Sequence, residues 1–491
     1  MAVVYLIASL IWRRSRPPLP PGPRRLPIIG NVMSIPTRHP WRVYAAWSQR
    51  WGDLISLQLL NQTMVIVNSP KIALDMLEKK SAIYSDRPTL TMADEMVGWK
   101  HGLSSTSLSD RFRSYRRLIH DVIGTREGME QHLPVEEQET RKFLQLISAN
   151  PDKLLDHIRR TAGAIVLRIT YGYEVKHDDQ IVRIVDEAMS QFSELVTPGA
   201  YLVDTLPILR YIPDWFPGAG FKRTAHAYAI TLRNMVDVPF RFTRDQISQG
   251  GARPSFVGYQ LSTEEDADED IVKWAAATLY AGGADTTVSA IHSFFLAMTL
   301  YPNVQRKAQA EIDAVVGQGR LPSFSDRDQL PYVEALVSEV LRWNPVAPLG
   351  VPHRLQEDDV HEGYLIPRDS LVIPNIWKFL HDPEMYADPE QFNPDRFLPQ
   401  NGEGAEPDPR SYCFGFGRRI CPGMRVADAS LFISCAMALA VFDISRAHDK
   451  FGNIIEPVID YSSNIISHPN PFACSIKPRS ENANAMINAI F

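Results

Sequence analysis

A mainly α-helical protein with a few small β-sheets is what this chain predicts, on three observations. Residues 271–300 and 422–443 form long, mostly apolar runs without an interior proline. Helical spacing of apolar residues also dominates 112–195 and 221–247, whereas alternating strand patterns are confined to 53–68, 363–374 and, weakly, 452–477. With 491 residues and 45% hydrophobic content the chain can bury a large core. No linker in its body invites division into separate domains.

The N-terminal end reads differently. Met1 to Trp12 is apolar, Arg13, Arg14 and Arg16 follow, and PPLPPGP from Pro17 is a stiff extended spacer. Twelve helical residues reach roughly 18 Å, short of the ~30 Å hydrocarbon core. The reading is a short membrane anchor at 1–12, a basic, proline-rich hinge at 13–29, and one catalytic domain over 30–491. The arginines keep the body on the cytosolic side.

The segment DLISLQLLNQTMVIVN, residues 53–68, predicts two strands about a turn at Asn61-Gln62, and Lys71 to Lys80 a short amphipathic helix. Residues 85–111 predict a long functional loop. A proline-broken stretch around 197–216, with Trp215 and Phe216, predicts a lid or a membrane-touching segment. The acids of 262–270 (STEEDADED) favour the N-terminus of the next helix, which starts near Ile271. That helix carries Gly282, Gly283, Asp285 and His292 at its middle, so it is read as buried in protein rather than lipid. GYLIPRDSLVIP at 363–374 suggests a hairpin.

The formal charge of −6 and the lack of a basic tract argue against nucleic-acid binding. All four cysteines, Cys413, Cys421, Cys435 and Cys474, fall in the last fifth of the chain and suit a reducing compartment. One of them stands out. In FGFGRRICPG, residues 414–423, Cys421 precedes a buried helix with Pro422 in its first turn, which predicts Cys421 as the helix cap. The positive helix end, with Arg419 and Arg425 close by, then favours the thiolate, a nucleophile or metal ligand. Gly415, Gly417 and Gly423 leave room for a broad, flat group against the backbone.

Two glycines inside the long helix, at AGGADTT (281–287), cost about 1 kcal/mol each relative to alanine and so need a packing or functional reason. Thr286 can return its hydroxyl to the backbone and open a notch, and Asp285 can supply a proton route. Glu339 and Arg342, three apart in apolar ALVSEVLRW, predict a buried pair that needs a further partner, available as Arg396 in FNPDRF.

The decamer Phe-x-x-Gly-x-Arg-x-Cys-x-Gly from Phe414 to Gly423 resembles the haem-binding loop of the cytochrome P-450 superfamily, and AGGADTT, EVLR and FNPDRF match that family's other signatures in order, over about residues 17–478. The resemblance implies a triangular helical haem domain with a minor β-rich region. It implies haem b, with Cys421 as the iron ligand and Arg419, His353, Arg116, Phe414, Gly415 and Gly423 around the cofactor. It implies proton delivery by Asp285 and Thr286, and structural roles for Glu339, Arg342 and Arg396. The early helix departs from the family's Trp-x-x-x-Arg, having Phe112 before Arg116, which removes one expected hydrogen-bond donor and lowers the expected cofactor affinity.

By the same resemblance the substrate pocket is lined by Ala277, Tyr280, Ala281, Val346, Leu349, Ile465 and Ile466, with walls from the loop at 92–106 and the lid. These residues are mostly apolar, so the substrate is hydrophobic, with terpenoids and polycyclic or aromatic secondary metabolites leading. The implied activity is insertion of one oxygen atom of O2 into a C–H bond. Electrons come from NADPH through a separate reductase, with a cytochrome b-type donor as a second source, since the chain lacks a dinucleotide-binding glycine fingerprint. The implied state is a monomer on the cytosolic face of the endoplasmic reticulum membrane. A haem-thiolate isomerase or lyase acting on a peroxide, and a non-enzymatic haem or lipid carrier, are the alternatives. The arginines at 111, 113, 116 and 117 form either a solvated basic face or a docking patch for an acidic electron donor.

Overall fold

The computed structural model describes residues 17–488 except 177, 198, 264–267 and 400–403. It divides into two compact units, and the chain passes between them several times, so no one linker separates them in sequence. The expected anchor at 1–12 lies outside the described residues.

The first unit takes residues up to 88, then 348–379 and 415–420. Its helix α1 (Pro40–Trp51) starts on a proline, and the strands are β1 (Leu54–Leu59), β2 (Gln62–Val67), β3 (His353–Arg354), β4 (Asp359–His361), β5 (Tyr364–Ile366) and β6 (Leu371–Pro374). The sheet order is β1-β2-β6-β3. The β1–β2 hairpin pairs Leu59 with Gln62, so the turn sits at Leu60-Asn61, one residue earlier than the sequence suggests, with Leu60 at φ 52°. Tyr44, Trp47 and Trp51 of α1 pack on Ile55, Leu57, Met64 and Ile66.

The expected hairpin over 363–374 does not form. β5 pairs with β4 about Glu362 and Gly363, both at positive φ as a two-residue hairpin turn requires. β6 instead runs parallel to β2 and antiparallel to β3. Pro367 cannot donate to a ladder, and the continuously apolar Leu371–Ile373 suits an inner strand better than a hairpin arm. The proline-rich segment is likewise no free spacer over its described part: Ser56 N donates to Pro21 O at 2.9 Å and Ser56 Oγ to Pro20 O at 2.5 Å. A Cβ on Gly22 would collide with Ser56 O.

The second unit is helical. Its principal helices are α2 (Asp110–Ile119), α3 (Leu133–Ala149), α4 (Leu154–Tyr171), α5 (Gln180–Leu195), α6 (Gly220–Ser248), α7 (Glu269–Leu300), α8 (Pro302–Val315), α9 (Pro331–Trp343) and α10 (Met424–Val441), followed by the β7 (Phe442–Arg446) and β8 (Cys474–Pro478) pair. Asp268 caps α7 by accepting from the Asp270 and Ile271 amides at 3.0 and 3.3 Å, and Glu269 and Asp270 face the positive helix end. The segment 85–111 is more ordered than a loop: Thr91–Val97 winds into a wide helical turn that buries Met92 and Ala93.

Two apolar clusters share α7. Val272 to Ala284 pack with α2, α4, α5 and α6, while Val288 to Met298 pack with α3, α9 and α10. α10 is long and apolar enough to cross a membrane, yet 78% of it is buried, as in a core helix.

α3 buries Glu136, which is 0% exposed and has no hydrogen-bond partner at either carboxyl oxygen. Burial pushes its pKa far above the carboxylate range, against the opposing Ser430 and Arg327. The neutral acid therefore stabilises the fold at low pH, and that contribution is lost as pH rises past the unfolded value near 4.3. Glu136→Gln is expected to raise the thermal midpoint at pH 8 while leaving it close to wild type at pH 4. A variant no more stable than wild type at pH 8 would refute the assignment.

Candidate functional site

Within the glycine-rich loop, Gly415 and Gly417 hold φ of 80° and 51°, and a Cβ on Gly417 would collide with Leu77 O. Phe416, 2% exposed, sits edge-on to Phe379 at 6.3 Å. Phe414 is half-buried against the α9–α10 core, and Cys421 N donates to its carbonyl at 2.8 Å, closing the loop. The path of the backbone around Cys421 is thus set by residues that can adopt no other course.

The helix begins later than expected. α10 starts at Met424 with Gly423 as its cap, so Cys421 stands two residues ahead of the cap rather than on it. Arg425 Nε instead donates to Gly124 O at 2.9 Å, and Arg419 Nε to Ser85 O at 2.7 Å. The groups that favour the thiolate are the Gly423 amide and the Arg116 charge; burial outweighs them and pushes the thiol pKa up. Cys421 is therefore a thiol in the protein alone, and a bound metal would have to displace its proton. It remains partly accessible, and all four cysteines are free.

In the second unit, Glu339 and Arg342 are both 0% exposed. Arg342 Nε and Nη2 donate to the two carboxylate oxygens at 2.7 and 2.8 Å, and its remaining donors reach Leu380, Pro389 and Gln391 carbonyls at 2.9, 2.8 and 3.0 Å. Arg396 Nε lies 3.3 Å from Glu339, and Asn393 N donates to it at 2.7 Å. Glu406 accepts from Arg396 at 2.7 Å, a member of the network that its distance in sequence hides.

On α7, Thr286 Oγ1 donates to Gly282 O at 2.6 Å, the backbone return expected for a local notch. The two glycines have different reasons. A Cβ on Gly283 would collide with Val166 of α4, whereas one on Gly282 would meet nothing within 4 Å. Asp285 Oδ1 lies 3.1 Å from His468 Nε2, a partner the sequence did not suggest.

The first unit holds a cluster of cations. His353 Nδ1 bonds to Tyr84 O at 2.8 Å, and burial together with Arg87 and Arg419 lowers its pKa well below the usual value, so the imidazole is neutral. Arg87, missed in the sequence reading, is 6% exposed, donates to the Val351 and Pro352 carbonyls at 2.7 Å, and leaves Nε without a partner. Burial, and then the Arg419 charge, depress the ionisation of Arg87, and together with its orphaned donor they call for an anion. Arg116, in the second unit, is half-buried and acts on Cys421.

The residues expected to line the pocket sit in different environments. Tyr280 is fully buried, its hydroxyl 3.3 Å from Ile181 O and its ring edge-on to Tyr171, and Ala277 is 1% exposed in the same core. The open strip of α7 runs instead through Leu279, Gly282 and Thr286, because an apolar helix gives no sign of its rotational phase. Ala281 is 7% exposed beside it. Val346 and Ile466 lie half-buried against the cores of the second unit, Leu349 packs on the sheet of the first, and Ile465 is half-buried. The segment at 92–106 is not mainly apolar: Asp94, Glu95, Lys100, Ser105 and Arg210 line a cavity of about 350 Å³. Phe112 is 5% exposed, a core residue. Of the α2 arginines, Arg111 pairs with Asp270 at 2.8 Å and Arg113 with Asp110, leaving less free positive charge than their number suggests.

A search against protein families matches residues 20–472 to the cytochrome P450 family. Among curated proteins, a cytochrome P450 monooxygenase of Postia placenta is 54% identical, with 100% of this chain and 97% of the relative aligned. The cytochrome P450 monooxygenase claR of Ampulloclitocybe clavipes is 46% identical over 99% and 91%. The O-methylsterigmatocystin oxidoreductase of Aspergillus flavus is 40% identical over 97% and 90%.

Proposed function

Because the chain belongs to the cytochrome P450 family, and is thus an oxygen-incorporating oxidoreductase, we propose that it hydroxylates a hydrophobic secondary metabolite, a terpenoid or a polycyclic or aromatic scaffold. The family implies haem, and the residues fit one. Gly282 and Gly423 are positions where a side chain would point into open space, and Cys421, in the same unit, is a free, half-buried cysteine. When bound, the haem supplies activation of dioxygen. Cys421 would hold its iron, and Arg116 in the same unit would meet a carboxylate, a role that family resemblance also gives Arg419 and His353. A carboxylate at His353 would favour the imidazolium that burial alone disfavours. Thr286 and Asp285 would hold and move protons at the α7 notch, while the apolar strip around Leu279 would orient substrate and exclude water.

The observation that carries this reading is Cys421, presented by a loop whose glycines are conformationally required and whose Gly423 amide is aimed at the sulfur. The test is a reduced-CO difference spectrum, followed by product formation with NADPH and a reductase. A long-wavelength band of thiolate ligation and NADPH-dependent hydroxylation are expected. A band at the short-wavelength position of nitrogen ligation would end the proposal, and product from a peroxide substrate without NADPH would favour the isomerase or lyase reading.

We also propose attachment to the endoplasmic reticulum membrane. The relatives are fungal enzymes of the same family, and the lid exposes Leu202, Ile208, Tyr211 and Trp215 by 71–80%. Trp215→Glu with Phe216→Glu is expected to weaken vesicle binding several-fold, each glutamate opposing insertion. Unchanged flotation with vesicles would count against a lipid-facing lid.

A further inference from the structure

Asp285 is paired with His468 by construction rather than by chance approach. His468 is held in a tight loop, its amide 3.0 Å from Ser462 Oγ and its carbonyl accepting from Ser462 N at 2.8 Å. The preceding residue fastens that loop to the same face of α7: Ser289 Oγ, one turn beyond Asp285, donates to Ser467 O at 2.5 Å, and Ser467 N donates to Val346 O at 2.8 Å. Consecutive loop residues therefore grip consecutive turns of α7. The imidazole and carboxylate are 22% and 28% exposed, so the pair also reaches solvent.

The neighbouring charges leave His468 as the base that can exchange with Asp285. Asp186 of α5 is pushed up to about 6 by burial, with Arg159 opposing and with Asp285 and Asp156 adding to it. His292, two turns along α7, is 4% exposed and lowered to about 4 by burial and by His468 and Arg159, so it stays neutral in the working range.

We propose that His468 is a positioning residue for proton delivery: it holds the Asp285 carboxylate on the solvent side of the notch and reloads it with a proton. The imidazolium gives its Nε2 proton to Asp285 Oδ1, is left neutral with a proton on Nδ1, and takes another from water. The acid then turns within the notch to serve Thr286. This rests on the proposed monooxygenase chemistry, which consumes protons from solvent.

The experiment uses haem-loaded protein with its reductase and compares wild type, His468→Gln, Asp285→Asn and the double variant. Glutamine keeps a donor near the Nε2 position but has no proton to exchange. His468→Gln is expected to lower product formed per NADPH about 5- to 10-fold, less than a whole general acid contributes, with KM unchanged and more hydrogen peroxide released. The double variant is expected to match Asp285→Asn within about twofold, as for two groups acting as one unit. Independently of turnover, nitrogen-15 histidine NMR of the diamagnetic ferrous–CO form should show an Nε2–H bonded to a charged carboxylate, a signal that Asp285→Asn shifts toward that of a neutral acceptor. Wild-type coupling in His468→Gln, multiplicative losses in the double variant, or an NMR signal indifferent to Asp285→Asn would each overturn the proposal while the thiolate–CO band stands. Absence of that band in wild type would overturn the monooxygenase reading instead.

Discussion

Glu339→Gln is expected to destabilise the folded protein by about 3–5 kcal/mol, the cost of removing one partner from a buried ion pair. Glutamine preserves shape and one acceptor, so the loss comes from charge. Arg342 and Arg396, with side chains 0% and 2% exposed, would keep their positive charges without a buried counter-ion. Arg342 would retain its three carbonyl acceptors, which keeps the penalty within that range rather than beyond it. Glu406 would still face Arg396 at 2.7 Å but is itself 23% exposed and cannot serve both arginines. The comparison is Asp395→Asn, which breaks the more exposed Lys307–Asp395 pair and should cost at most about 1 kcal/mol. Thermal and denaturant unfolding of both variants decides the matter. A Glu339→Gln protein as stable as Asp395→Asn would mean that the buried network adds nothing to the fold.

Cys421→Ser should abolish both the long-wavelength CO band and NADPH-dependent product formation, because the Cys421 sulfur would hold the iron as a thiolate and serine cannot replace it. Stability should change by no more than about 1 kcal/mol, since Cys421 is only half-buried and serine still accepts from the Gly423 amide. Cys413→Ser is the matched control. Cys413 lies in the same stretch, its thiol pushed up by burial in company with nearby acids, and its replacement should leave the CO band in place. A Cys421→Ser protein that keeps the thiolate band would transfer the ligand role elsewhere.

Local patterns in the sequence sufficed for much of this. β1 and β2 were readable from alternation, and α7 and α10 from apolar length. The Glu339–Arg342 pair was readable because i, i+3 spacing places both on one helical face, and Thr286 because its acceptor lies four residues back. What escaped depends on partners distant in sequence. Nothing in LVIP says that β6 leaves its neighbour to lie beside β2. Arg87 shows no periodicity, and its importance comes from carbonyls more than 260 residues away. Cys421 looked like a cap because Pro422 suits a first helical turn, but Gly423 took the cap and moved the start of α10. The burial of Tyr280 was not readable, because α7 is apolar nearly all round and its spacing does not reveal which side is open. His468 could not be tied to Asp285 without the Ser289–Ser467 bond that brings their segments together.

The division of α7 between two apolar clusters gives each half of the helix its own anchorage. Ala284 closes one core and Val288 opens the other, and Asp285 and Thr286 lie between them, half-buried and in neither cluster. Substitutions at Asp285 or Thr286 should therefore change the proton-handling groups while the apolar packing that anchors either half of α7 stays as it is.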